Sequence, residues 1–550
     1  MYDISFIKRF ETTVKKHWNN PALDDYHQSS STYGELAAKI KADHLLFEAA
    51  GLKKGDKISL NAKSSSGWIK TFMSITTGGY VGVQLFDGYT PTDTMKLVNH
   101  SDSVLLFTER RLFDKMDFEQ MPNIKGAIDV QTGELLASRN GFADIYMKRD
   151  TLLGKTYPKG YTVEDFQFED RDADEVCAIN YTSGSTGNPK GVMLTVRNFS
   201  VNVYLIPRHF PYREGETYLS VLPFAHIFGM LYDAITPLCH GMHLHVLGVP
   251  PVPAYLKPAL AEVKPRVFFA VPLILTKMLD NTIGEFINSK SGKAKLDDYK
   301  NNQDYCKALR TIFMSAFGEN IRLLVTGGAA MAFELEELMA IKLEIPFVTG
   351  YGMTEACPTI SLGQLGKYKM KSAGEVVPEG VECRINSADP EHIPGEIIIR
   401  GDCVFVGYYK NPEATNEVLD SEGWFCTGDM GTMDKDNTLF LAGRCKNMLL
   451  SANGQNIFPE EIEVVLNTLP YVQESIVVDR NGHLTALILP NLDMVGASGM
   501  DNDALNAVMA GNISKLNSEI PAYSQVTNFE LRFEPFYKTP KGSIRRFMYK

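Results

Sequence analysis

A chain of 550 residues is longer than one ordinary core needs, so two or more domains are expected. Its 44% hydrophobic and 22% charged residues are those of a globular protein, and a formal net charge of −11 excludes a general nucleic-acid binder, which would need a basic footprint. That balance still leaves room for a local basic channel for a polyanion. The amino-terminal stretch carries Asp3, Lys8, Arg9 and Glu11 and lacks a signal peptide's apolar core. No run of about 18 apolar residues reads as a membrane span. The cysteines nearest in sequence are Cys426 and Cys445, so there is no CxxC motif; reduced thiols in a cytoplasmic protein are expected.

In chain order, Tyr33–Ala50 places Leu36, Ile40 and Leu45 near helical spacing, with Gly51 as a stop, and a short strand at Lys57–Leu60 follows. Val176–Asn180 and Val192–Leu194 read as strands flanking a polar segment. Pro258–Val263 reads as a helix and Val267–Val271 as a strand. Asp280–Asn320 is a polar, charged helical excursion. Ile321–Val325 and Ile345–Val348 are short apolar runs ending at glycines. Strands alternating with helices imply βαβ units and a largely parallel sheet, whose ligands bind at the carboxyl ends of the strands. From Gly374 to Asn437 the chain is rich in strands and turns, which predicts a compact β element. Beyond Gly443 a smaller α+β unit begins. The expected organisation is α/β: a large domain over 1–443 made of βαβ sheet subdomains and a small β-barrel-like element, then a small mobile domain over 444–550.

The strongest chemical signal is Tyr181-Thr-Ser-Gly-Ser-Thr-Gly-Asn-Pro-Lys-Gly191. Thr182, Ser183, Ser185 and Thr186 offer hydroxyls to phosphate oxygens, Gly184 and Gly187 let backbone N–H groups close around an anion, and Lys190 adds a mobile cation. The flanking strands exclude a flexible Ser/Gly linker, and the spacing is not GxxxxGK[ST]. Thr326-Gly-Gly-Ala-Ala-Met331 follows a strand, and small residues there admit a flat base close to the backbone. Thr349-Gly-Tyr-Gly-Met-Thr-Glu355 follows another, with a carboxylate of the kind Mg²⁺ prefers.

The string YTSGSTGNPKGVMLT closely resembles the phosphate-loop signature of the adenylate-forming superfamily, which includes acyl-CoA synthetases, peptide-synthetase adenylation domains and firefly luciferase. The other signatures stand in the family's order, so the resemblance spans nearly the whole chain. It implies that Leu222-Pro-Phe-Ala-His226-Ile-Phe-Gly229 lines an acyl pocket, with His226 in it. Gly328, Ala329 and Ala330 would pack against adenine. Thr349, Gly350, Tyr351, Gly352 and Met353 would form the second nucleotide motif, Tyr351 stacking on the base, Thr354 contacting the α-phosphate and Glu355 holding Mg²⁺. Asp429, in Thr427-Gly-Asp429, would accept from the ribose hydroxyls, and Arg444 would contact ribose. Lys446 stands at the hinge about which relatives rotate the small domain. Asn453-Gly454 stands where relatives often have two glycines lining the coenzyme A channel.

One departure concerns the carboxyl terminus. The family ends in Thr-x-x-Gly-Lys-Ile with a lysine that assists adenylation, whereas this chain reads Lys538-Thr-Pro-Lys-Gly-Ser-Ile-Arg-Arg546. Ser543 holds the lysine's place and supplies no charge; Lys541, two residues earlier, is the candidate replacement.

The resemblance is nearest to long-chain fatty acid–CoA ligases. It implies an ATP-dependent carboxylate–CoA ligase working through an acyl-adenylate, with a carboxylic acid, ATP and coenzyme A as substrates and Mg²⁺ as cofactor. The alternatives are an acyl-AMP ligase that loads a carrier protein, and a nucleotide-binding relative with weak ligase activity.

Overall fold

The computed structural model describes residues 4–183, 189–377, 379–450, 456–480, 482–539 and 542–549. Its largest sheet has eight strands, in the order Gly407–Tyr408, Pro189–Thr195, Val176–Ser183, Val81–Leu85, Lys57–Asn61, Ser103–Thr108, Gly126–Asp129, Leu135–Ser138. The five from Val176–Ser183 to Gly126–Asp129 are parallel. Parallel strands are covered on both faces, which is why Val81–Leu85 is buried at every residue. The helix Tyr33–Ala49 begins in a capping box: Thr32 Oγ1 accepts from Glu35 N, and Glu35 accepts from Thr32 N at 2.8 Å.

A second sheet joins Val267–Ala270, Leu323–Gly327 and Phe347–Gly352 in parallel, then Thr359–Leu362 and Glu375–Val376 antiparallel. Two of these strands run past their apolar cores into glycine. Gly327 pairs with Gly350, and a Cβ at 327 would stand 2.9 Å from the Gly350 carbonyl oxygen. The helix expected at Pro258–Val263 is Pro253–Val263. Pro253 takes its first turn, and Pro258 sits inside, where the loss of one main-chain hydrogen bond is offset by burial of Leu256, Ala259, Leu260 and Val263. The polar excursion is three helices, Pro272–Asn288, Lys290–Asp297 and Gln303–Ser315, which bury Leu275, Met278, Ile283, Leu309 and Phe313 in a common core.

Thr217–Ser220, His243–Val246, Pro21–Asp25 and Ser31–Thr32 form a third sheet. The turn-rich segment forms an antiparallel sheet of Glu382–Asn386, Gly395–Arg400, Phe425–Met433 and Leu439–Arg444. After it, Val472–Arg480, His483–Pro490 and Asn528–Leu531 make a three-stranded sheet, packed through Val477, Ala486 and Ile488 on Ile462, Leu466, Leu505 and Met509 of the helices Pro459–Leu466 and Asn502–Glu519. Among the described residues no helix is long and apolar enough to cross a membrane.

Candidate active site

The phosphate-loop segment is the mouth of a hairpin. Val176–Ser183 and Pro189–Thr195 pair antiparallel, with Thr182 opposite Lys190 and Ser183 opposite Pro189. Gly184, Ser185, Thr186, Gly187 and the Ser183 side chain lie outside the described residues. The hairpin aims Lys190 at a partner that its own motif does not reveal. Its Nζ stands 4.6 Å from the centroid of the Tyr408 ring, within cation–π range. Tyr408 is carried there by the edge strand Gly407–Tyr408, which pairs with Val192 and Met193.

Tyr408 also reaches the second nucleotide motif. Its hydroxyl donates to Glu355 Oε1 at 3.0 Å, and Phe405 N donates to the Glu355 carbonyl at 2.8 Å. Glu355 lies in a one-turn helix, Thr354–Ala356, after the strand Phe347–Gly352, and is 9% exposed. Burial, then the Glu355 charge, push the Tyr408 phenol well above its ordinary range, so it stays a donor. The second Glu355 oxygen takes no hydrogen bond from the described residues. A buried carboxylate with an open oxygen, next to a phosphate-loop hairpin, is a donor that suits Mg²⁺, a hard ion that keeps several waters and needs few protein ligands.

Asp429 is built from similar parts with a different result. It faces Arg444 across the strands Phe425–Met433 and Leu439–Arg444, and Arg444 Nε lies 2.8 Å from its Oδ1. Tyr351 donates its hydroxyl to Oδ2 at 2.7 Å. Burial raises the Asp429 pKa, and the Arg444 charge and Tyr351 bond oppose it. The turn before Asp429 uses Gly428 at φ +73 and is locked by Thr427, whose hydroxyl donates to the Ile397 carbonyl at 2.8 Å. Each Asp429 oxygen keeps a second lone pair, so the carboxylate can still accept from a diol.

At the carboxyl ends of the paired strands Leu323–Gly327 and Phe347–Gly352 the backbone is bare. A Cβ placed on Gly328, at φ +78, would meet nothing nearer than 3.9 Å, and Gly328, Ala329 and Ala330 are exposed. Beside them, Gly352 has no room for a side chain, because a Cβ would meet the Pro358 carbonyl oxygen at 1.8 Å. Met353 is half-buried, and Thr354 is buried beside Glu355. The Thr349 hydroxyl donates to the Ser372 carbonyl at 2.9 Å, so this side chain is committed to the fold and Thr349 offers a ligand only its backbone.

On the other side of the hairpin, His226 caps the short helix Ile227–Met230, its Nδ1 accepting from Phe228 N at 3.2 Å, with the Phe86 ring 6.4 Å away. Asn180 Nδ2, on the strand leading into the hairpin, donates to the Ala225 carbonyl at 3.2 Å. The segment is held from beneath by Asp233, which sequence reasoning missed. Its carboxylate accepts from Val221 N and Leu222 N at 2.6 Å each and from Tyr218 Oη at 2.7 Å. Burial pushes that carboxyl up to about 6, with the hydrogen bonds opposing it. A single charge inside the apolar run Met230-Leu-Tyr-Asp-Ala-Ile235 was the available signal. Tyr232 Oη meets Thr359 Oγ1 at 2.7 Å, tying this segment to the strand after Glu355.

Lys446 lies in the turn Cys445–Asn447 immediately after Arg444 and is exposed. Asn447 Nδ2 donates to Glu460 Oε1 at 2.5 Å, so the turn docks on the helix Pro459–Leu466. Gly454 and Lys541 lie outside the described residues. Ser543 is exposed in a turn in which Thr539 N donates to the Ser543 carbonyl at 2.8 Å. The turn is fastened to the small unit by the Lys538–Glu474 ion pair at 2.9 Å and by an Arg546–Glu463 ion pair. A cavity of about 400 Å³ lined by Lys57, Val81, Val176 and Tyr409 lies at the amino ends of the parallel strands. None of the candidate site residues lines it.

A phosphate-loop hairpin, a backbone platform at strand ends and two buried carboxylates define a nucleotide-binding enzyme of the α/β class. Residues 10–409 match the family model described as AMP-binding enzyme, and residues 446–549 match that of the AMP-binding enzyme C-terminal domain. The chain belongs to the AMP-binding enzyme family. It is 29% identical to long chain acyl-CoA synthetase 1 of Arabidopsis thaliana, over 86% of this chain and 75% of that protein. It is 24% identical to the chloroplastic long-chain-fatty-acid–[acyl-carrier-protein] ligase AEE15 of the same plant, over 88% of this chain and 76% of that one. The fold is shared with the anthranilate CoA ligase AuaEII solved in complex with anthranoyl-AMP, at a TM-score of 0.79 and 19% identity, covering 100% of this chain and 96% of that chain.

Proposed function

We propose that this protein is an ATP-dependent fatty acid–CoA ligase that forms an acyl-adenylate and transfers the acyl group to coenzyme A. The observation that carries the reading is the meeting of Lys190, Tyr408 and Glu355, from three distant segments, at the mouth of the phosphate-loop hairpin. In the first step the carboxylate attacks the α-phosphate in line and pyrophosphate leaves. Two anions must approach, so positioning and charge neutralisation are the main needs. In this reading Lys190 would neutralise the phosphates, Thr354 would contact the α-phosphate, and Asp429 with Arg444 would hold the ribose. Glu355 would hold Mg²⁺, which would supply charge neutralisation for the approach of the two anions. Gly328 to Ala330 and Gly350 to Met353 cradle the base, and the His226 segment borders the acyl group. In the second step the thiol attacks the acyl-adenylate carbonyl and AMP leaves.

We assign 1–443 to the nucleotide-binding domain and 444–550 to a domain that turns about Lys446 between the steps, bringing the segment with Gly454 to the thiol. Lys541 supplies the carboxyl-terminal cation that Ser543 does not. A cytoplasmic setting fits the eight free cysteines. A fatty acid is favoured over an aryl acid by the relatives named for long-chain acids, and the carrier-protein ligase among them makes a carrier protein the competing acceptor.

The test is mass-spectrometric product analysis with ATP, Mg²⁺, coenzyme A and acids from acetate to long-chain fatty acids. Long-chain acyl-CoA with AMP is expected. Acyl-AMP without thioester would transfer the reading to a carrier-protein ligase, and no product would overturn it. Lys541→Ala should slow pyrophosphate release far more than thioester formation from supplied acyl-adenylate; equal losses would remove Lys541 from the first step.

A further inference from the structure

The third sheet carries a cluster that the ligase chemistry does not use. His243 and His245 are two residues apart on one strand and share a face. Asp24 lies on the neighbouring parallel strand directly opposite His245, hence on the same face. Its carboxylate is 4% exposed and stands between the two imidazoles, with Oδ2 2.7 Å from His243 Nε2 and Oδ1 2.8 Å from His245 Nδ1. The rings are 4.1 Å apart between centroids. Ser30 Oγ lies 3.0 Å from the same His243 Nε2. Among the described residues, this is the one group of three or more His, Cys, Asp or Glu whose ligand atoms lie within 4.8 Å of one another.

The three ligand atoms already converge in the fold, and the cluster is accessible. The side chains of His243 and His245 keep 18% and 19% of their surface exposed, so the cluster opens to solvent on the imidazole side while its anion is buried.

We propose that Asp24, His243 and His245 bind one divalent transition-metal ion of the zinc class. Two imidazole nitrogens and one carboxylate oxygen are a borderline donor set, which favours Zn²⁺, Co²⁺ or Ni²⁺ over Mg²⁺ and Ca²⁺, whose preferred ligands are oxygens. In the ion-free protein His243 Nε2 and His245 Nδ1 donate to Asp24; on binding, the ion takes the place of those two protons and each ring keeps its proton on the other nitrogen, as a neutral tautomer. Ser30 Oγ or water completes a four-coordinate shell. Nearby, Glu262 accepts from Tyr26 Oη at 2.6 Å and from His27 Nε2 at 3.1 Å and forms an outer polar layer. The ion would cross-link strands whose ligands are 219 residues apart in sequence and stabilise the folded chain by linkage.

The experiment uses the full-length chain, free of any tag, stripped of metal and without nucleotide, dialysed against Zn²⁺ or Co²⁺ and analysed by mass spectrometry of the metal. One ion per chain is expected, with a melting temperature that rises with ion concentration. The Co²⁺ form should have the visible spectrum of a four-coordinate nitrogen/oxygen site and no thiolate charge-transfer band. His243→Gln and His245→Gln should each weaken binding about tenfold or more, while His392→Gln, at an exposed histidine elsewhere, should not. No bound ion, unchanged binding in the two variants, or a thiolate band would each overturn the site. If the variants fail to fold, the wild-type stoichiometry and Co²⁺ spectrum decide.

Discussion

Glu355 and Asp429 are both buried carboxylates, each accepting from a tyrosine hydroxyl and each with a cation close by, yet they are left in different states. At Asp429 the cation is a direct partner: Arg444 Nε takes one oxygen and Tyr351 the other, at 2.8 and 2.7 Å. At Glu355 the cation stops on the face of the tyrosine, with Lys190 Nζ 4.6 Å from the Tyr408 ring centroid, and one oxygen carries no hydrogen bond from the described residues. An arginine fork on a carboxylate repels a second cation but still admits hydroxyl donors through the remaining lone pairs. A carboxylate with one phenol bond has an oxygen open to a metal. The same ingredients thus leave one carboxylate paired with an arginine and the other with an open oxygen, as the ribose and Mg²⁺ roles proposed for Asp429 and Glu355 require.

Substitutions sharpen this contrast, beginning with the largest expected effect. Glu355→Gln removes the charge and keeps the shape. Pyrophosphate release should fall by about 100-fold or more, the scale of losing one preorganised electrostatic contact in a transition state. A fall that extra Mg²⁺ fully restores would mean a metal-binding effect alone, and no fall would detach Glu355 from the metal. Asp429→Ala should weaken ATP binding in calorimetry by about 1.5–3 kcal/mol, the worth of hydrogen bonds to a charged group. An unchanged Kd would show that Asp429 serves only the Arg444 and Tyr351 contacts.

Asp233 gives a pH signature. Folded Asp233 keeps its proton up to about 6, while the unfolded carboxyl releases it near 3.8. The folded state therefore binds more protons between these values. Stability should fall as pH rises from 3.8 to 6 and level off above, by an amount on the order of a few kcal/mol. Urea midpoints across that window measure it, and the slope should disappear in Asp233→Asn; a slope that persists would place the proton elsewhere. Tyr408→Phe keeps the ring under Lys190 and deletes only the bond to Glu355, so kcat should drop a few-fold, about 1 kcal/mol. Equal kcat would mean that packing alone positions Glu355. The smallest effect belongs to Ser543→Ala, at an exposed turn position held through its backbone: stability within about 0.5 kcal/mol of the parent.

Much of the layout could be read from the chain. Alternating apolar runs and glycine stops are local properties, so the helix from Tyr33 and the strand from Lys57 stand where periodicity puts them. Boundaries set by distant partners do not. Leu323–Gly327 and Phe347–Gly352 extend into glycine because Gly327 and Gly350 pair across strands, and a propensity argument alone would have stopped them earlier. The motif strings also marked Lys190, Glu355, Asp429 and Arg444, because a polyanion needs hydroxyls, glycines and charge in short, dense runs.

What those residues touch was settled only by tertiary structure. Tyr408 meets Glu355 across 53 residues because an edge strand pairs with the hairpin, and Asp233 grips the Leu222 segment because the chain turns back over it. Thr349 had the composition of a ligand, but the fold spends its hydroxyl on Ser372. His243, His245 and Asp24 carry no recognisable spacing, since their relation exists only in the register of two parallel strands. Sequence by itself determined the family and named the candidate residues, because residue type and local spacing are written in the chain. Which carboxylate keeps an open oxygen, and which histidines face one anion, follow from strand register and burial, which only the assembled sheets define.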